Sequence, residues 1–113
     1  MNQPNLFDLQ TETVETAEVA LFALGEFQSR KKQLAERELP LDRLRGAFRR
    51  AAEHYRIEEL SDEIIAGILQ KMGAKIVQVP TFVAKHPFRV TVQNDLAQNA
   101  LEFYRKTNLE KSD

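Results

Sequence analysis

Two histidines, His54 and His86, and the carboxylates Glu58, Glu59, Asp62 and Glu63 are the side chains best suited to chemistry in this chain. The histidines fall on different predicted elements and lack HxxxH or HxH spacing, so they do not build a metal site. Ser29, Ser61 and Ser112 lie outside any nucleophile elbow. The carboxylates invite a magnesium ion, yet Asp62 and Glu63 are explained by the start of a helix. A nuclease would also need an acid-x-lysine pair on the following strand, which carries Gln78 instead. No glycine-rich phosphate loop occurs. The expectation is a non-enzyme with no catalytic residue, no metal and no cofactor.

Phosphate recognition is the second chemistry the residues suggest. Arg43, Arg45, Arg49, Arg50 and Arg56 crowd one predicted helix, and Arg45, Arg49 and Arg56 share a stripe. Arginine grips phosphate oxygens with two parallel donors. Lys31 and Lys32 precede this helix, and Lys75, Lys85, His86 and Arg89 follow with no acid interleaved. Such bases can track a nucleic-acid backbone. They can equally form a solvated face paired with Glu53 and neighbouring acids, or bases that keep a sheet edge from associating. The formal net charge of −1 conceals this segregation, since the charges from Asp8 to Glu26 are all acidic.

At 113 residues the chain makes one domain, and 42% hydrophobic with 29% charged residues is ordinary for a folded protein. Cysteine is absent, so a reducing cytoplasm is the expected location. The first residues lack a basic region followed by an apolar run, so no signal peptide is expected. No apolar stretch approaches the roughly 20 residues of a membrane span, so no membrane partner is expected.

Val14, Ala17, Leu21, Leu24, Phe27 and Leu34 keep helical spacing and predict a long helix from Thr11 to about Arg37, ended by Pro40. Phe22 and Ala23 widen its apolar face, so it should be sandwiched. Leu44, Phe48, Ala51 and Tyr55 predict a second helix over 41–55. Ser61 should cap a third, with Ile64, Ile65, Ile68, Leu69 and Met72 buried and Gly73 closing it. Val77 and Val79, then Phe88, Val90 and Val92, alternate with polar residues and predict an antiparallel hairpin with a long tip. Asn94 or Asp95 should cap a last helix carrying Leu96, Ala100 and Phe103, with a polar tail fraying from Thr107. The expected layout is α+β, mainly helical: a flexible peptide over 1–10, one domain over 11–106 and a short tail over 107–113.

Helices followed by a two-stranded wing make the Ser61-to-Val92 pattern similar to a winged-helix domain. The resemblance implies a third helix that reads DNA, although Asp62 and Glu63 at its start would repel phosphate. The opening Gln3-Pro4-Asn5-Leu6-Phe7 resembles the peptide that docks onto the bacterial sliding clamp, whose pattern is glutamine, two variable residues, leucine and phenylalanine. That resemblance implies Gln3, Leu6 and Phe7 as partner-binding residues; packing onto their own domain is the alternative. Together these features lead to the expectation of a small DNA-associated accessory protein. A helical adaptor, or a homodimer formed through the first helix, is the other class they allow.

Overall fold

The computed structural model describes the backbone of residues 3–80 and 88–112 and the side chains of residues 16–80 and 88–109. The elements are α1 (Gln3–Ser29), β1 (Glu38–Pro40), α2 (Asp42–Tyr55), α3 (Asp62–Lys71), β2 (Lys75–Gln78), β3 (Phe88–Thr91) and α4 (Asn94–Ser112). The protein is α+β and mainly helical, as its periodicity predicts. Among the described residues no helix is long and apolar enough to cross a membrane.

The largest departure from the expected layout follows α1. The helix stops at Ser29 rather than near Arg37, because Lys31 adopts a left-handed conformation (φ 63°) and its amide turns back to the carbonyl of Gln28. The next residues spend their backbone hydrogen bonds on the sheet instead. Glu36 donates its amide to Val92, and residues 38–40 form β1, a strand that the sequence reading did not predict. Leu34 is buried as expected, but it reaches the core from this connection. Pro40 ends an edge strand, where its missing donor costs little.

The antiparallel sheet has the order β1-β3-β2. Leu39, Val90 and Ile76 stand opposite one another and turn inward, while Pro40, Arg89 and Val77 make an adjacent row on the other face. The element order, with a short strand inserted before α2 and β3 central, is winged-helix-like.

Helix α1 is sandwiched, as its broad apolar face requires. Val19, Ala20, Phe22, Ala23, Leu24 and Phe27 are buried, and α1 packs against both α2 and α4. Gly25 permits the close approach to α4: a Cβ there would fall inside van der Waals contact of the Ala100 carbonyl oxygen and of Tyr104 Cβ. The Gln28 side chain donates to the Ala97 carbonyl at 2.8 Å, tying the two helices further along. The first amide of α4, on Asn94, is satisfied by the Glu36 carboxylate at 2.8 Å, so the cap comes from the α1–β1 connection. Helix α4 continues past Thr107 to Ser112.

Helices α2 and α3 have the predicted bounds to within a residue. Leu44, Phe48 and Ala51 are buried on α2. Its end is fixed by Arg56 in a left-handed conformation, with Ile57 donating to Ala52 and Arg56 to Glu53. Ser61 caps α3, its hydroxyl accepting from the Ile64 amide at 3.3 Å. Gly73 (φ 102°) closes α3, with Ala74 donating to Leu69 and Gly73 to Gln70. The buried face of α3 is rotated from the expected one: Ile65, Ala66 and Leu69 are buried, Ile68 and Met72 are half-buried, and Ile64 is 50% exposed.

Candidate functional site: the outer face of the third helix and the arginines beside it

The arginines of α2 are largely occupied within the chain. Arg50 sends Nε and Nη2 to the two carboxylate oxygens of Glu26, at 2.7 and 3.0 Å, and Arg30 adds its Nε at 2.8 Å. Glu26 is the one charged side chain buried among the described residues. Burial alone would raise its pKa, but the hydrogen bonds and charges of Arg50 and Arg30 outweigh it and hold the carboxyl below its ordinary value. Arg45 Nη2 meets Asp62 Oδ2 at 2.6 Å, and Asp42 lies within 3.7 Å of its other terminal nitrogen. Arg49 reaches Glu59 at 3.5 Å.

These pairs join elements distant in sequence. Glu59 comes from the α2–α3 connection, Asp62 from the first turn of α3 and Glu26 from α1. The stripe of Arg45, Arg49 and Arg56 therefore does not present three free cations. Arg45 and Arg49 are paired, and Arg56 stands exposed at the helix end. Around Ser61 these two arginines share one surface with three acids, Glu59, Asp62 and Glu63, so the start of α3 is not a basic surface.

The remaining predicted cations divide. Arg43, Arg56, Lys75 and Arg89 make no ion pair among the described residues. Arg89 sits on the outer row of the sheet between Pro40 and Val77, and Lys75 lies opposite Thr91. Lys85 lies outside the described residues, as do His86 and the side chains of Gln3, Leu6 and Phe7. His54 is half-buried: its ring stacks on Phe22 with centroids 4.3 Å apart, and Tyr55 and Tyr104 meet the same Phe22 edge-on. Burial, with Glu18 nearby, pushes the Tyr55 phenol up.

The sequence reading missed the outer face of α3. Ile64, Gly67, Ile68 and Met72 line a groove whose opposite wall is Ala17 of α1. The apolar spacing gave no warning, because Ile64, Ile65, Ile68, Leu69 and Met72 fit the single stripe that one buried face uses. Gly67 gave the signal. A glycine within a helix costs about 1 kcal/mol relative to alanine, and a Cβ at Gly67 would meet nothing within 4 Å. Nothing among the described residues requires it. Glu63 and Lys71 flank this face, both exposed and neither ion-paired among the described residues.

No family model, curated protein or solved structure matches the chain. The likeness to winged-helix domains rests on element order and strand order alone.

Proposed function

We propose that this protein is a winged-helix-like interaction module that binds a protein partner through the outer face of α3. The supporting observation is the half-exposed Ile64 in an apolar groove at the helix position a winged helix would offer to DNA, with one base, Lys71, at its edge and the acids Glu59, Asp62 and Glu63 around the start of the same helix. A large aliphatic side chain loses favourable burial when left in water, about 1.5–3 kcal/mol for a complete exposure. A partner that covers it recovers part of that energy. The Gln3, Leu6 and Phe7 pattern, which resembles a clamp-docking peptide, supports the same class of activity, with the sliding clamp as the partner that resemblance implies.

Contact with a nucleic-acid backbone is the second reading. It is favoured by Lys75 and Arg89 on the sheet and Arg43 at the start of α2, cations without an ion pair among the described residues. The two readings separate in a titration with duplex DNA at several salt concentrations. Partner binding through α3 predicts no affinity that falls steeply with salt. A steep salt slope that flattens when Arg43 and Arg89 are changed to glutamine establishes the nucleic-acid reading instead. A clamp-binding measurement on the intact chain and on Leu6→Ala/Phe7→Ala tests the N-terminal peptide separately.

A further inference from the structure

The exposed face of α3 complements itself. Glu63, Gly67 and Lys71 are spaced four residues apart and so follow one stripe of the helix, with Ile64 and Ile68 beside it. The acid and the base lie about 12 Å apart at 1.5 Å per residue, with the glycine midway. A twofold axis through Gly67 that lays a second α3 antiparallel on the first brings each Glu63 against the partner's Lys71. It also brings glycine against glycine, the arrangement that lets two helix backbones come closest. Each copy's Ile64 then projects toward the groove formed by Ile68, Met72 and Ala17 on the other copy.

We propose that the occupant of this groove is a second copy of the chain, docked α3 against antiparallel α3 about a twofold axis at Gly67. This rests on the reading of α3 as a protein-binding face and names the partner. One arrangement accounts for three features that the described residues leave unused: a helix-weakening glycine with open space above it, a half-exposed isoleucine, and two opposite charges with no ion-pair partner among the described residues. The symmetry requirement is strict. A twofold contact must be made of the same patch on both copies, and only residues equidistant from Gly67 can pair. Glu63 and Lys71 satisfy it. The first helix, the dimer surface suggested by its broad apolar pattern, has Val19, Ala20, Phe22, Ala23, Leu24 and Phe27 buried within its own chain.

Sedimentation velocity of the full chain over a range of concentrations tests the proposal. The expected result is a monomer–dimer equilibrium, weak because one helix face is a small interface. Gly67→Leu should abolish the dimer without lowering the melting temperature, since the added side chain points into open space. Glu63→Lys alone and Lys71→Glu alone should each weaken association about tenfold, and the exchanged pair Glu63→Lys/Lys71→Glu should restore it. Circular dichroism on every variant confirms the fold. A chain that stays monomeric at the highest concentration overturns the proposal, as does a dimer indifferent to Gly67→Leu. Monomeric behaviour alone leaves the reading of α3 as a docking face for another protein intact. Salt-dependent DNA binding that Ile64→Glu abolishes in a monomeric chain would remove both.

Discussion

The seam between α1 and α4 and the outer face of α3 contain the same kinds of feature, and they differ in whether the fold uses them. Gly25 in the seam admits the Ala100 carbonyl, whereas Gly67 on α3 admits nothing among the described residues. Glu26, also on α1, is held by two arginines, whereas Glu63 and Lys71 have no ion-pair partner among the described residues. Phe22 is wrapped by His54, Tyr55 and Tyr104, whereas Ile64 stands half in water. A costly residue that the fold uses explains the fold. One that the fold does not use points outward. The comparison makes availability the test of a functional residue, and residue type alone does not supply it.

The seam gives the largest predicted effect. Gly25→Ala forces its new methyl against backbone on α4, which cannot rotate away as a side chain would, so the two helices must separate. The expected loss is about 3 kcal/mol or more, at or above the upper end for overpacked cores, measured by denaturant titration. A loss under about half a kcal/mol, the range typical of surface changes, would mean that the seam is loose and that the two glycines do not differ.

Within α3 the same contrast separates two aliphatic residues. Leu69 is fully buried and Leu69→Ala should cost about 2–5 kcal/mol. Ile64→Ala should stay within about 0.5 kcal/mol in the monomer. Equal losses at the two positions would place Ile64 in the core and take away the exposed face.

Most of the fold was legible in the sequence because local signals and tertiary packing agree there. The Ser61 cap, the Gly73 terminus and the alternation around Val90 each fix structure through residues close in sequence. The end of α1 was not legible. The apolar spacing continues through Leu34, but Lys31 takes a left-handed conformation that residue type does not announce, and β1 exists only because β3 offers it an edge. The site divides in the same way. Arginine positions were legible, while their pairing with Glu26, Glu59 and Asp62 depends on contacts between separate elements. For that reason a basic run in sequence became a mostly neutralised surface.

The Glu26 cluster supplies an intermediate effect with a pH signature. Arg50→Met leaves a buried carboxylate with Arg30 alone and should cost about 1–3 kcal/mol, the usual penalty for removing one hydrogen-bond partner from a buried group. The folded state holds Glu26 below its ordinary pKa, so the native carboxyl takes up its proton at lower pH than the unfolded one. The stabilisation is therefore complete above about pH 4.3, the ordinary glutamate value, and drains away as pH falls toward the depressed folded value. In Glu26→Gln that component of the acid sensitivity should vanish. Melting curves between neutral pH and pH 3 measure it. An unchanged acid slope in Glu26→Gln would show that the two arginines do not hold the carboxyl down.

The smallest effect has the opposite sign. Gly67→Ala should stabilise the monomer by about 0.5–1 kcal/mol, because alanine restricts the unfolded backbone and favours the helix. Its methyl meets nothing within 4 Å, so no steric cost offsets this gain. For a domain of this length the melting temperature should rise by about 4 °C. Gly46→Ala is the matched control: it also lies within a helix, and its Cβ would make only an ordinary 3.5 Å contact with the Arg50 guanidinium. It should stabilise by a similar amount. The two variants should then part in self-association, where Gly67 lies at the proposed crossing point and Gly46 lies on another helix. Stabilisation at both positions with weakened association at Gly67 alone would separate a glycine kept for contact from one that is merely tolerated. Destabilisation at Gly67 would instead reveal an internal constraint on the outer face of α3, and the distinction between that face and the α1–α4 seam would fail.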